Sequence, residues 1–143
     1  MSSYISLKFS PIGTLENSVS QNRYSDNYFS IRSNNLVVPL RKYNKDSMNL
    51  FIGGRPMVNG KMDDNLVVKL LLNSDYIPSV APIINGSFII IIFDSSNKIL
   101  NIISDRFSSQ KIYFDVYKDI LYADSNLIDL CKVLASVKSV EIN

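Results

Sequence analysis

The strongest constraint in this chain is the uninterrupted apolar segment at residues 88–93, whose sequence is Phe-Ile-Ile-Ile-Ile-Phe. Gly86 precedes the segment and Asp94 follows it, so residues that favour turns lie on both sides. A short apolar run with such boundaries is typical of a β-strand that is covered on both faces. It is far shorter than the ~20 residues that span a bilayer, so no membrane segment is expected.

Further short segments flank this strand, and their alternation or β-branched residues predict additional strands. They are residues 4–9, 28–32, 36–40, 48–52, 99–103, 111–117 and 120–123. The intervening residues 13–26 lack periodicity and predict a loop, and Asn34-Asn35 predicts a tight turn. Gly53-Gly54 is expected to end the strand at 48–52 as a turn, or alternatively to cradle an anion with its backbone N–H groups.

Two helices are predicted, one between strands and one after them. Asp63 and Asp64 suit the N-cap and first turn of a helix that reaches about Asn73. Asp124 or Ser125 is expected to cap a final helix, with one apolar face formed by Leu127, Ile128, Leu130, Cys131, Val133 and Leu134. Many strands with two helices favour a layered α/β (α+β) fold, in one domain that spans residues 1–143.

Composition excludes several classes of function. The net charge of +2, with both signs interspersed, offers no basis for nucleic-acid binding. The first residues lack the basic start and apolar stretch of a signal peptide, so a cytoplasmic protein is expected. The chain has no histidine and a single cysteine, Cys131, which the helical pattern assigns to the core. Serine–histidine and cysteine–histidine catalysis are thereby excluded, and neither a metal site nor a cofactor is expected.

The order of motifs from residue 84 to residue 134 resembles the glutaminase domain of asparagine synthetases, a class II glutamine amidotransferase with the N-terminal-nucleophile fold. That family carries Gly-Asp/Ser-Phe-Ala followed by apolar residues and Asp, then Arg-Asp-Arg-x-Gly-x-x-Pro-Leu-Tyr-Tyr. The matching structural residues here are Gly86, Ser87, Phe88, Asp94, Asp105 and Arg106, with Ile112-Tyr113-Phe114 at the end of the second motif. Tyr122-Ala123-Asp124-Ser125 matches the entry to the last helix. The resemblance implies a four-layer αββα sandwich.

The positions that carry chemistry in that family are altered. Its N-terminal cysteine corresponds to Ser2, and its oxyanion-hole Asn-Gly corresponds to Gly53-Gly54, which lacks the amide side chain. Its substrate-binding aspartate at the head of a helix corresponds to Asp64, and its substrate arginine to Arg32 or Arg41. Serine is a much weaker nucleophile than cysteine without a strong base, and one lost oxyanion donor costs about 10²–10³ in turnover.

These losses imply a domain that kept the scaffold and dropped glutamine hydrolysis, as resembling domains have in β-lactam synthetases and lasso-peptide cyclases. The ATP-pyrophosphatase domain of those enzymes carries Ser-Gly-Gly-x-Asp-Ser, which this sequence lacks. The expected function is therefore an inactive glutaminase-like subunit that supports a separate asparagine-synthetase-like chain forming amide bonds with ATP. The alternatives are an N-terminal serine hydrolase that cleaves an amide through Ser2, and a homo-oligomeric interaction module.

Other residues admit both a structural and a functional interpretation. Asp105-Arg106 favours a structural pair over recognition of a substrate carboxylate, and Asp63-Asp64 favours helix capping over acid–base chemistry. Core packing and a partner interface are equally compatible with the aromatic residues of two predicted strands, namely Tyr113, Phe114, Tyr117 and Tyr122.

Overall fold

The computed structural model describes residues 4–16, 23–34, 39–107 and 110–142. All strand pairs among them are antiparallel, and the protein is a mixed α/β (α+β) chain. Two compact units divide the chain. The contiguous unit is one segment, Val38–Lys111, and the split unit combines two segments, Met1–Val37 and Ile112–Asn143.

The split unit contains a five-stranded sheet in the order β2-β3-β1-β9-β8 and one helix. Its elements are β1 (Tyr4–Phe9), β2 (Tyr24–Ser25), β3 (Phe29–Asn34), β8 (Tyr113–Tyr117), β9 (Ile120–Asp124) and α3 (Leu127–Ile142). One face of the sheet is apolar and buried, with Leu7, Phe29, Ile31 and Ala123 at its centre. Helix α3 contacts β8 and β9 on the opposite face, where Lys138 lies 3.9 Å from Asp115.

The contiguous unit contains a four-stranded sheet in the order β4-β5-β6-β7, with helices on one face. Its elements are β4 (Arg41–Lys45), β5 (Met48–Met57), α1 (Asp64–Leu72), α2 (Ile77–Val80), a 3₁₀ turn (Ala81–Ile83), β6 (Asn85–Asp94) and β7 (Ile99–Ser104). Val67 and Leu71 of α1 pack against Leu50, Ile52, Ile84, Phe88, Ile90 and Ile92. The whole apolar run of β6 is buried, as its sequence predicts.

The structure confirms the helix at Asp64. Asp63 is its N-cap, and its carboxylate accepts a hydrogen bond from the Asn65 N–H at 2.9 Å. The helix stops at Asn73, whose N–H bonds back to the carbonyls of the last turn. The predicted connection at Pro78 and Pro82 holds two short helical turns, both of which begin near a proline.

Several predictions about the strands are wrong. Strand β5 does not end at Gly53-Gly54, because both glycines stay in register with β6. Residues 35–38 lie outside the described residues, and residues 39–40 are not a strand; the strand that follows them is the polar β4. Tyr24–Ser25 forms a short strand inside the predicted loop, where the Asp26 carboxylate accepts from the N–H groups of Tyr28 and Phe29 at 2.7 Å each.

The last helix also differs from the prediction. Its cap is Asn126, whose side chain accepts from the N–H groups of Ile128 and Asp129. Leu130 is buried, but Ile128 and Cys131 are exposed, so the assignment of Cys131 to the core is wrong. Among the helices of the described residues, none combines the length and apolar character needed to cross a bilayer.

Candidate functional site

A cavity of about 390 Å³ lies in the contiguous unit, where β5 leads towards the start of α1. Its wall is formed by Arg41, Gly54, Arg55, Pro56, Met62, Asp63 and Asp64. Three of these residues, Arg41, Gly54 and Asp64, are among the positions that are expected from the sequence to form a site.

Strand register and a tight turn bring the three residues together. Arg41 pairs with Ile52 across β4 and β5, so its side chain reaches the backbone of Gly54 two residues farther along β5. Beyond β5, Val58 and Lys61 bond to each other in a turn that carries the chain back to the N-terminus of α1. That turn places Asp64 beside Arg41, although the two residues are 23 positions apart.

Two of the four charged residues of the cavity, Arg41 and Asp64, bond each other. The Arg41 guanidinium donates to both oxygens of Asp64, with Nε at 2.5 Å from Oδ2 and Nη2 at 3.1 Å from Oδ1. Nη2 also donates to the Gly54 carbonyl at 2.7 Å, and the Tyr43 hydroxyl donates to Asp64 Oδ2 at 2.6 Å. A bidentate arginine–carboxylate pair is among the stronger and more directional hydrogen-bonded contacts in proteins.

The pKa values follow from this geometry. Partial burial raises the pKa of Asp64, but the hydrogen bonds from Arg41 and Tyr43 outweigh it and hold that pKa below its usual value. The hydrogen bond to Asp64 raises the pKa of Arg41 and is also the largest cause of the raised pKa of Tyr43. At neutral pH the charges of Arg41 and Asp64 therefore offset each other, and Tyr43 joins them as a neutral hydroxyl donor.

Gly54 and Gly86 make the strand pair beside the cavity possible. Gly54 has a φ of +84°, and a Cβ there would lie 2.3 Å from the Ser87 carbonyl oxygen. Gly86 has a φ of +101°, and its Cβ would lie 2.3 Å from the carbonyl oxygen of Arg55. Each glycine thus lets the opposite backbone approach more closely than any side chain permits.

The other predicted site residues are distributed as follows. Gly53 is buried within β5 and offers no side-chain amide to a ligand. Arg32 lies exposed on β3 of the split unit; burial raises the pKa of Asp124 in that unit, and the charge of Arg32 opposes this rise. Ser2 lies outside the described residues, so its position relative to the cavity stays a prediction.

The predicted structural residues have identifiable roles. Asp94 organises the turn between β6 and β7: its carboxylate accepts from the backbone of Ser96 and Asn97 and from the Ser47 hydroxyl. Burial acts to raise the pKa of Asp94, but the hydrogen bond from the Asn97 side-chain amide, at 2.8 Å, outweighs it together with those from Ser47 and the backbone, so the pKa is lowered. Asp105 is buried and accepts from the N–H groups of Phe88 and Phe107. Arg106 is exposed, so the expectation that Asp105 and Arg106 form a buried pair is wrong.

Sequence reasoning missed Tyr43 and left Arg41 undecided. The alternation of β4 places Arg41 and Tyr43 on one face of the strand, which is a usable signal once the strand is located. Within the described part of the chain, there is no group of three cysteine or acidic side chains that could hold a metal ion.

Replacing Asp64 with asparagine is expected to lower the free energy of unfolding by about 1 kcal/mol at neutral pH, because partly exposed ion pairs contribute modestly. The pKa of Asp64 is lowered in the folded state, so its contribution is present above the usual carboxyl pKa and is lost as the pH falls through the lowered value. Urea unfolding of both proteins should therefore show a difference that shrinks below about pH 4.

The matched control is Asp75→Asn, which makes the same change at an exposed aspartate and should leave stability nearly unchanged at every pH. A stability difference for Asp64→Asn that does not vary with pH would contradict the ion-pair explanation.

Comparison with known proteins found no matching protein-family model, no matching curated protein and no matching solved structure.

Proposed function

We propose that this protein is a cytoplasmic, catalytically inactive glutaminase-like subunit that supports an asparagine-synthetase-like enzyme forming amide bonds with ATP, in a peptide or small-molecule pathway. The two units would be parts of a four-layer αββα sandwich of the N-terminal-nucleophile type. The observation that carries the proposal is the cluster of Arg41, Asp64 and Gly54 around one cavity. The resemblance implies an arginine and a carboxylate at a helix start there, beside an Asn-Gly pair of which only the second glycine is kept, as Gly54.

The internal bonding of this cluster supports the loss of glutamine binding. A free amino acid presents a carboxylate and an ammonium group, which need an unpaired cation and an unpaired anion. Here Arg41 and Asp64 bond each other twice, and the remaining contacts go to Gly54 and Tyr43. To use Arg41 and Asp64, a zwitterionic ligand would have to replace these bonds, which leaves little net gain at these two residues.

The lining of the cavity also supports the loss of catalysis. Among the described residues that form its wall, none has a thiol or a side-chain amide. The Gly54 carbonyl is directed at Arg41, and Gly53 carries no side chain that could stabilise an oxyanion. An acyl-transfer reaction at this site would therefore lack the side-chain amide of the oxyanion hole, a donor worth about 10²–10³ in turnover.

An exposed apolar pair on β8 supports a role in contacting a partner. Phe114 is 68% exposed and Val116 is 59% exposed, and both lie on the same face of this edge strand. Tyr122 on the neighbouring strand is buried, so the aromatic residues of β8 and β9 divide between core and surface. Exposed aromatic residues on an edge strand favour an interface.

The first test measures ammonia release from glutamine by the full chain, with Ser2→Ala as the comparison. We expect no release above the uncatalysed rate from either protein, because neither a thiol nor the amide donor is present. Hydrolysis of glutamine or another amide that Ser2→Ala abolishes would overturn the proposal in favour of an N-terminal serine hydrolase.

The second test co-expresses the chain with an ATP-pyrophosphatase-type synthetase encoded beside it. We expect a stable complex by size-exclusion chromatography with mass detection, and a loss of affinity of about tenfold or more for a Phe114→Ser, Val116→Ser variant. Ile12→Ser removes an equally exposed apolar side chain outside β8 and should leave the complex intact. A chain that forms only homo-oligomers and no complex would contradict the subunit role.

A further inference from the structure

The two edges of the sheet in the contiguous unit differ in charge. Strand β4 at one edge carries Arg41, Lys42 and Lys45, which is a common protection against pairing with another chain. Strand β7 at the other edge has the sequence Ile-Leu-Asn-Ile-Ile-Ser, without a charged residue or a proline. The β7 edge therefore lacks the features that normally prevent the addition of a strand.

Backbone hydrogen bonding leaves polar groups of β7 directed away from the sheet. The Asp105 N–H donates to the Phe88 carbonyl at 3.3 Å, which makes these residues a hydrogen-bonded pair at the end of β6 and β7. Hydrogen-bonded pairs alternate along an antiparallel ladder. The N–H and C=O groups of Ile102 and Ser104 therefore point outwards, and no residue in the described part of the chain bonds to them.

A groove of about 460 Å³ runs beside this edge. Four consecutive residues of β7 line the groove, namely Asn101, Ile102, Ile103 and Ser104. The short helix α2, the 3₁₀ turn and Arg106 also line it. Its remaining wall is almost entirely apolar and consists of Ile77, Pro78, Ala81, Pro82, Ile84 and Phe88. A strand added to β7 would direct alternate side chains into this apolar space.

The charges near β7 indicate the chemistry of the occupant. Arg106 lines the groove just after β7, and Lys98, whose amine donates to the Ser95 carbonyl, precedes the strand, so a basic residue flanks β7 on each side. A second copy pairing antiparallel about Ile102 would set Arg106 of one chain opposite Lys98 of the other. That arrangement is repulsive, whereas a segment with acidic residues at its ends would be attracted.

We propose that the β7 edge binds an extended segment of a partner protein by strand addition, with apolar side chains in the groove and acidic residues near Lys98 and Arg106. Affinity would come from backbone hydrogen bonds to Ile102 and Ser104, and selectivity from the groove and the two cations that flank β7. The binding surface lies in the contiguous unit, and the inference does not depend on the partner being a synthetase.

The test uses the full chain and a fluorescein-labelled peptide of sequence Asp-Ile-Thr-Ile-Thr-Ile-Asp, with fluorescence anisotropy as the readout. We expect saturable binding that is weakened about tenfold or more when both aspartates of the peptide are replaced by lysine. Arg106→Glu leaves one cation and one anion beside β7 and should abolish this preference. Absence of binding, or equal binding of the acidic and basic peptides, would overturn the proposal.

Two N-methylated peptides separate strand addition from simple apolar contact without changing the protein. One peptide is methylated on the backbone nitrogens of the isoleucines and the other on those of the threonines. We expect one of the two to bind like the parent and the other to lose about tenfold or more, since only alternate N–H groups of an added strand face β7. Equal binding of both would exclude strand addition.

The variant Ile102→Pro tests the same backbone hydrogen bonds by a change in the protein instead of the peptide. It removes an N–H that points away from β6, and proline is tolerated on edge strands at such positions. Loss of peptide binding with a retained unfolding transition is the expected result. Sedimentation should show that the free chain does not self-associate through β7. If the chain did self-associate and Ile102→Pro abolished this, the β7 edge would bind a second copy of the chain instead.

Discussion

Replacing Gly54 with alanine is expected to destabilise the contiguous unit by about 2–5 kcal/mol. A positive φ costs a residue with a Cβ roughly 1–2 kcal/mol, and displacing packed neighbours costs a further 1–3 kcal/mol. Both apply here, because the φ is +84° and the new Cβ would lie 2.3 Å from the Ser87 carbonyl oxygen and 2.9 Å from the Phe88 Cα. These are backbone atoms, which cannot move aside as a flexible side chain can. Urea unfolding measures the loss.

Gly60→Ala is the matched control, because Gly60 has a φ of +75° but open space around its missing Cβ. It should cost only the conformational strain of about 1–2 kcal/mol. Gly86→Ala should resemble Gly54→Ala, since its Cβ would lie 2.3 Å from the Arg55 carbonyl oxygen. If Gly54→Ala and Gly60→Ala proved equally costly, the close approach of β5 and β6 at Gly54 would not be a determinant of stability.

Replacing Asp105 with alanine is expected to cost about 2–4 kcal/mol of unfolding free energy. The carboxylate accepts from the N–H groups of Phe88 at 3.1 Å and Phe107 at 3.0 Å, and Asp105 is only 6% exposed. Alanine would leave the buried Phe88 N–H without its acceptor, and an unpaired buried donor loses its hydration without compensation. Thermal and urea unfolding should both report the change.

Two variants isolate this effect. Asp105→Asn keeps an acceptor oxygen and should recover part of the loss. Asp63→Ala removes a comparable bond to a backbone N–H, that of Asn65, but at an exposed position, and should cost about 1 kcal/mol. A loss for Asp105→Ala no larger than that for Asp63→Ala would show that burial of the Phe88 N–H carries no energetic weight.

The parts of the fold that the sequence predicted well are those in which one strong local signal acts alone. The apolar run at 88–93 has no polar side chain to face water, so it is expected to be a buried strand, and β6 contains all of it. Asp63 and Asp64 precede a helical apolar pattern, and α1 begins where they predict. These local preferences agree with the tertiary structure, so neither needed knowledge of distant residues.

The errors arose where a tertiary contact overrode a local preference. Gly53-Gly54 resembles a turn in isolation, but pairing with β6 keeps both glycines in a strand that continues to Met57. Strand β4 is polar because one of its edges faces away from the sheet, so it lacks the apolar signal by which strands are recognised. Cys131 fits the apolar pattern of α3, yet the sheet contacts a narrower face of that helix and leaves it exposed.

The candidate site could be predicted only in part, for a geometric reason. Asp64 and Gly54 were singled out by the resemblance, but the choice between Arg32 and Arg41 depends on strand register. Only the pairing of Arg41 with Ile52 places a guanidinium beside Gly54 and Asp64. Register is set by the whole sheet, and no local pattern around either arginine encodes it.

The division of the chain into a contiguous and a split unit has a consequence for the order of folding. All four strands of the contiguous unit lie between residues 38 and 111, so its sheet can form as soon as that segment has been synthesised. The split unit needs β9, because β1 pairs with it between residues such as Ser6 and Asp124. Closing so long a loop is slow when the intervening chain is unstructured. A contiguous unit that has already folded shortens the effective loop. Early folding of the middle of the chain would therefore speed the pairing of β1 with β9.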